Sequence, residues 1–237
     1  MINQKTKNAF SCLEDFLNVT IEDFQDFNLK EKPFICDNTK ESERTLFFDI
    51  EIYDNKIPPK IINKIYDFCL GGKWSITHFS DTDSGSPFMT SFFKLDVYYN
   101  DYFKNLLTKV ILPIIKLPNK ENIVIDRAYI NGHQYSSPGD FHTDGRTSPK
   151  NSGPTIMIYL NPFWDPRWNG GTLFLKESKN EYQENIQNIQ VSDVIPGRIV
   201  VFDPSINHCS SDISIYSKIK NITRFTLAYH TIYKNNC

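Results

Sequence analysis

His142 and Asp144 stand two residues apart in the run Phe141-His142-Thr143-Asp144. In an extended chain that spacing turns both side chains to one face, where an imidazole and a carboxylate can grip one ion. A third donor of the same kind, His208, follows the β-rich run Arg198–Asn207. Two histidines and one carboxylate on one face of an octahedral metal leave three positions open, a donor set that suits ferrous iron and the binding of further oxygen ligands. A His-x-Asp pair alone is more often a polar turn than a ligand pair, so its weight depends on the company it keeps. Arg224 supplies some of that company. It opens Arg224–Tyr233 (RFTLAYHTIY), a stretch otherwise made largely of apolar and aromatic residues. A guanidinium buried in such a strand is costly unless it meets an anion, and a carboxylate would meet it bidentately. The alternative is a solvated arginine at the mouth of the strand. His78, His133 and His230 lack patterned neighbours. His133 falls just before the His-Thr-Asp run and His230 near the end of the last strand.

These residues need a scaffold, and the pattern around them is β-rich. From Ile123 onward, short runs recur between turn signals: IVIDRAYI, FHTD, TIMIYLN, GTLFLKE, RIVVFD and RFTLAYHTIY. Close spacing of short strands with Gly, Pro and Asn turns indicates a sandwich or barrel. The first half reads differently. Thr45–Tyr53 and Ser91–Tyr99 are strand candidates, separated by a helix that begins at Pro58-Pro59 and stops at Gly71-Gly72. Within that helix, Ile61, Ile62, Ile65, Tyr66 and Cys69 recur at helical spacing. Asp101–Leu117 places Phe103, Leu106, Leu107, Val110, Ile111, Ile114 and Ile115 on one face and closes at Pro118. The expectation is an N-terminal helical and strand extension, residues 1–120, packed on a β core of residues 121–237 as one compact unit. Residues 1–45 carry no assignable pattern.

Composition narrows the class. The 237 residues are 40% hydrophobic and 14% aromatic, enough to build one domain with a sizeable core. Twenty-six basic against twenty-eight acidic side chains leave a formal charge of −2, so no basic field points to nucleic acid. Five scattered cysteines without a CxxC motif read as reduced thiols rather than a disulfide framework. The N-terminus lacks the apolar run of a signal peptide. No stretch approaches the roughly 20 apolar residues of a membrane span. A cytoplasmic protein is expected.

Four segments then carry a resemblance: AYINGHQYSSPGDFHTDG, TIMIYLNPFWDPRWNGGTLFL, PGRIVVFDPSINH and RFTLAYHTIY. In this order, from Ala128 to Tyr233, the chain resembles the prolyl-4-hydroxylase-like branch of the Fe(II)/2-oxoglutarate dioxygenases. The most specific part is YLN with the following Trp164 and the Gly170-Gly171 pair. The resemblance implies an α+β, mainly β fold: a double-stranded β-helix (jelly-roll) core with supporting N-terminal helices. It makes His142, Asp144 and His208 the iron ligands and Arg224 the anchor of the distal carboxylate of 2-oxoglutarate. Tyr129 and Tyr159 match pocket-lining tyrosines, Tyr159 donating to the same carboxylate, and Leu173 matches an apolar wall. Arg224 lies sixteen positions after His208, farther than is usual in relatives. The segment 209–223 therefore reads as a lengthened loop, and Lys218 stands at the shorter spacing. Arg224 is preferred because its strand has the sequence of a core element.

The implied activity is hydroxylation of a substrate with 2-oxoglutarate and O₂ consumed and succinate and CO₂ released, ascorbate acting as a supporting reductant. The carboxylate ligand Asp144 argues against the halogenating variant. A peptidyl prolyl residue leads as substrate, with a free amino acid, sugar or other metabolite as the alternative. Tyr135, Ser136, Phe163, Trp164 and Trp168 form the expected mouth, unless the two tryptophans merely pack a turn. The loops 145–152 and 209–223 would flank that mouth. Two rivals differ in kind: a non-catalytic jelly-roll binding module, and a cupin-like metalloenzyme that uses no 2-oxoglutarate.

Overall fold

The computed structural model describes residues 50–71, 74–78, 88–92, 100–117, 119–144, 152–179 and 185–234. Strand β1 (Ile50–Tyr53) precedes helix α1 (Pro59–Gly71), β2 (Ser75–His78) and β3 (Phe88–Phe92). Helix α2 (Asn100–Asn105) runs through a π-helical turn, Leu106–Ile111, into α3 (Leu112–Ile114). The remaining elements are β4 (Ile123–His133), β5 (Ser152–Tyr159), β6 (Thr172–Lys179), β7 (Asn185–Ser192), β8 (Ile199–Phe202), β9 (Asn207–Ser210), α4 (Ile215–Ile219) and β10 (Arg224–Tyr233). They build a seven-stranded sheet in the order β1-β8-β5-β10-β4-β3-β2 and a three-stranded sheet β7-β6-β9, with every pairing antiparallel. This is the mainly β, jelly-roll architecture expected.

Strand alternation divides the large sheet into two chemically distinct faces. Ala128 and Ile130 of β4, Ile156 and Ile158 of β5, Ile199 and Val201 of β8, and Phe225, Leu227 and Tyr229 of β10 all turn to one side. There they meet Ile61, Ile62 and Ile65 of α1 and the α2–α3 side chains Phe103, Leu106, Leu107 and Ile111. The π-helical turn carries its ladder one residue wider, Leu112 N–H bonding to the Leu107 carbonyl. Pro113, which offers no N–H, stands directly beyond it. The opposite face looks towards the small sheet. Met157, Tyr159, Val200 and Phe202 pack there with Phe174, Val194, Ile213, Trp164 and Trp168.

Several expectations are amended. The strands described before residue 120 belong to the large sheet, where β1 closes one edge against β8 and β3-β2 extend the other. Arg198 donates to both oxygens of Asp54 at 2.7 and 2.8 Å, tying the end of β1 to β8. Of the two early strand candidates, 45–49 and 93–99 lie outside the described residues, as do 1–44 and the loop 145–151. Segment 209–223 is ordered rather than a plain loop: it holds the end of β9, an Asn169–Ile213 bridge and α4. Among the described residues no helix is long and apolar enough to cross a membrane.

Candidate metal centre and carboxylate pocket

The two histidine strands of the site are stitched by their own backbones. His142 and His208 exchange N–H···O bonds of 2.9 Å in an isolated antiparallel bridge, and Asp144 N–H bonds to the Pro204 carbonyl at 2.9 Å. Both imidazoles therefore leave on the same side, their ring centroids 4.5 Å apart. Each ring is oriented through Nδ1: His142 donates to the Asp140 carbonyl at 2.8 Å and His208 to the Ile206 carbonyl at 2.9 Å. With the proton on Nδ1, each Nε2 keeps its lone pair for a metal. Asp144 faces them, 3.9 Å from His142 Nε2 and 3.6 Å from His208 Nε2. One donor atom from each of the three residues lies within 4.8 Å of the others. Burial pushes the His208 imidazole below its ordinary pKa and so favours the neutral, ligating form. Burial would raise the Asp144 carboxyl, but the imidazoles of His230 and His208 and a 2.7 Å bond from the Thr155 hydroxyl hold it below the usual range.

Arg224 lies at the other end of the same wall. At 2% exposure it is among the largest fully buried side chains. Nη2 donates to Thr172 Oγ1 at 3.0 Å, while Nε and Nη1 have no partner among the described residues. The guanidinium sits 5.3 Å from the Tyr159 ring centroid, and none of the ion pairs among the described residues involves it. Burial lowers its pKa, against the opposing pull of Tyr159. Its seat is constructed with care. Asn161 accepts from Phe225 N–H and donates to the Thr223 carbonyl, both at 2.8 Å, bracketing the start of β10. Gly170, at φ +82°, lies against Trp164, Ile213 and the Arg224 stem, and a Cβ on Gly171 would stand 2.9 Å from the Ser192 carbonyl. The glycine pair thus lets Thr172 reach the guanidinium.

The other expected residues are placed as follows. Tyr159 is fully buried beside Arg224, but its hydroxyl donates to the Ser192 carbonyl at 2.8 Å and lies 2.9 Å from Thr172 Oγ1. The phenol is a platform for the guanidinium, its proton already engaged. Tyr129 stands at the metal end, its hydroxyl 2.6 Å from His230 Nε2 and its ring stacked on that imidazole. Leu173 is corrected: alternation along β6 sends Thr172 and Phe174 inward and Leu173 outward, paired with Val191, which is half exposed. Lys218 is exposed on α4, its Nζ 5.1 Å from the Tyr135 ring centroid. Trp164 and Trp168 are 7% and 5% exposed and pack edge to face inside the inter-sheet core, while Phe163 and Tyr135 remain at the surface.

Sequence reasoning passed over three groups at the site. Thr155 holds Asp144, Thr172 holds Arg224, and His230 brings Nε2 to 3.6 Å from Asp144 Oδ1. Only the phase of β10 could have signalled His230, because it lies six positions, an even number, beyond Arg224 and therefore on the same face.

No protein-family model matches the chain, and no curated protein matches its sequence. Solved structures do match its fold. An oxidoreductase of the 2OG-Fe(II) oxygenase family from Burkholderia pseudomallei superposes with a TM-score of 0.59 at 14% identity, over 79% of this chain and 86% of that one. The non-haem α-ketoglutarate-dependent carbocyclase SnoK of nogalamycin biosynthesis gives 0.58 at 11% identity, over 85% and 87%. A prolyl hydroxylase from Trichoplax adhaerens, solved with a hypoxia inducible factor peptide fragment, gives 0.53 at 15% identity, over 79% and 84%. What this chain shares with them is the fold.

Proposed function

We propose that the protein is an iron(II)- and 2-oxoglutarate-dependent oxygenase that hydroxylates its substrate. One arrangement carries the reading: a His-Asp-His donor set within 4.8 Å shares its barrel with a fully buried guanidinium that has two unpartnered nitrogens. The donor set suits ferrous iron, and the guanidinium requires an anion that the described residues do not supply. An acid with a metal-binding 2-oxo end and a distal carboxylate meets both demands. When bound, iron with 2-oxoglutarate and O₂ supplies the oxidising power, one oxygen atom entering the substrate as hydroxyl and the other the succinate formed as CO₂ leaves.

The chain's own residues set the conditions. His142 and His208 present Nε2 because backbone carbonyls hold Nδ1. Thr155 fixes Asp144, so the carboxylate is oriented before any ligand arrives. Arg224 would hold the distal carboxylate through its free nitrogens, while Tyr159 and Thr172 keep the guanidinium in place. The Phe174 and Phe202 rings pack against the His208 imidazole and give it an apolar setting, in which electrostatic interactions are stronger than in water. With ferrous ion and ascorbate, the protein should convert 2-oxoglutarate to succinate even without added substrate. His142→Ala and His208→Ala should abolish the conversion and keep the wild-type circular dichroism spectrum. Full turnover in both variants would sink the ligand assignment. Binding of 2-oxoglutarate without any succinate would favour a binding module.

The leading substrate is a peptidyl prolyl residue. Exposed Tyr135 and Phe163, together with Phe141 beside His142, offer the aromatic surface a proline ring prefers. Burial of Trp164 and Trp168 removes two of the five mouth residues from that list, which brings a small metabolite close behind. Decarboxylation stimulated by proline-containing peptides, with a single oxygen added by mass spectrometry, is the expected result. Stimulation by a free amino acid or sugar, with peptides inert, would replace the substrate and leave the chemistry standing.

A further inference from the structure

The metal end of the wall contains a polar cluster that the ligand set does not account for. Across three neighbouring strands, Arg127 of β4, His230 of β10 and Thr155 of β5 occupy one rung, since His230 is the registered partner of both Arg127 and Thr155. Arg127 Nη2 lies 3.2 Å from His230 Nδ1. A guanidinium can only donate, so Nδ1 must be the unprotonated nitrogen and the neutral ring carries its proton on Nε2. Nε2–H then donates to the Tyr129 hydroxyl oxygen, 2.6 Å away, and turns the positive end of its dipole towards Asp144 Oδ1 at 3.6 Å. Thr155 donates to the other oxygen, Oδ2. One rung thus bonds the carboxylate at Oδ2 through Thr155 and faces it at Oδ1 with the positive edge of the His230 ring.

The backbone around the rung is built specially. The β10–β4 register shifts between His230 and Thr231, passing over Asp126, and the β10–β5 register shifts immediately after His230 as well. Gly153 makes the second irregularity feasible: a Cβ there would lie 2.4 Å from Thr231 Oγ1. That hydroxyl donates to the Pro154 carbonyl at 2.6 Å. Register irregularities re-aim side chains beside functional sites, and here the pairing of β10 with both neighbours shifts just after His230.

We infer that Arg127, His230 and Thr155, with Tyr129 as the acceptor that orients the ring, form a positioning relay that locks the Asp144 carboxylate for metal binding, with His230 serving as a donor of fixed tautomer rather than as a fourth ligand. The inference rests on the metal-site reading and adds a role for residues outside it. Removing a partner that orients a ligand typically weakens metal affinity about tenfold to a hundredfold.

The experiment uses the full-length protein loaded with Co(II), an oxygen-stable probe whose visible spectrum reports ligand geometry. His230→Leu should weaken Co(II) binding by roughly ten- to a hundredfold and shift the spectrum. His230→Gln, which keeps an amide donor near the position of Nε2, should restore most of both. In ¹⁵N-detected imidazole correlations, wild-type His230 should show a protonated Nε2 and bare Nδ1, and Arg127→Met should release that tautomer. Wild-type affinity and spectrum in His230→Leu, with Co(II) binding lost in His142→Ala, would overturn the relay and keep the metal site. A protonated Nδ1 on wild-type His230 would overturn it independently. Absence of Co(II) binding by the wild-type protein would overturn the metal reading itself and the relay with it.

Discussion

Strand β10 has two buried faces, and they are buried for different reasons. Phe225, Leu227 and Tyr229 enter the helix-side core, and of these three only Tyr229 carries a polar side-chain group, its hydroxyl donating to the Phe103 carbonyl at 3.0 Å. Arg224, Thr226, Ala228 and His230 are equally inaccessible yet face the space between the sheets. On that side two guanidinium nitrogens stay unpartnered, and a carboxylate is ringed by imidazoles. Burial alone therefore does not distinguish core from site. The distinction lies in whether the buried polar groups of the strand are satisfied by the described residues: the Tyr229 hydroxyl is, whereas two nitrogens of Arg224 are not.

Stability measurements break the comparison most directly. Leu227→Ala should destabilise the protein by about 2–5 kcal/mol in urea unfolding, the usual cost of deleting a packed leucine. Arg224→Met, one face away and just as buried, should leave the ligand-free protein equally or more stable, because an unpaired buried charge is replaced by an apolar side chain of similar length. A large destabilisation by Arg224→Met would show that the arginine belongs to the structural core. The same variant should lose about 1.5–3 kcal/mol of 2-oxoglutarate affinity by calorimetry on metal-loaded protein. Lys218→Ala should change that affinity by less than about 0.5 kcal/mol, as expected for an exposed side chain outside the pocket. Reversal of the two would move the anchor to α4.

A further test concerns pH. His133, on the site face opposite Arg224 across the β4–β10 ladder, is driven down to about 3 by burial and then by the nearby guanidinium. Its folded value is depressed below the ordinary 6.5, so the unfolded chain takes up a proton first. The stability it contributes is complete above about pH 6.5 and is lost as pH falls towards 3, at up to about 1.4 kcal/mol per pH unit. His133→Asn should reduce the slope of unfolding free energy against pH between 6.5 and 4. Leu227→Ala should lower the whole curve without changing its slope. Parallel curves for His133→Asn and wild type would remove the histidine from the acid response.

How much of this was legible beforehand follows from the range of each signal. Helix α1 announced itself through Pro58-Pro59 and Gly71-Gly72, because caps and breakers act within one turn. His142 and Asp144 share a local motif, and Arg224 stands out against its apolar neighbours in the chain. Strand β7 escaped notice because its Asn and Gln residues mask the alternation and its Ile189 and Val191 face outward, half exposed. Leu173 was assigned to the wrong side of β6, since only the approach of Thr172 to Arg224, allowed by Gly170-Gly171, sets the phase of that strand.

The sequence by itself determined the period of each element and the chemistry of its rows, because alternation and capping depend on neighbours a few residues away. Tertiary structure decided which row faces the helices and which faces the second sheet. It also decided which residues meet across strands: Arg127, Thr155 and His230 are far apart in the chain and share no motif. Cross-strand register alone brings them to one carboxylate, and register is set by the packing of both faces and by the bulges beside His230 rather than by any local run of residues.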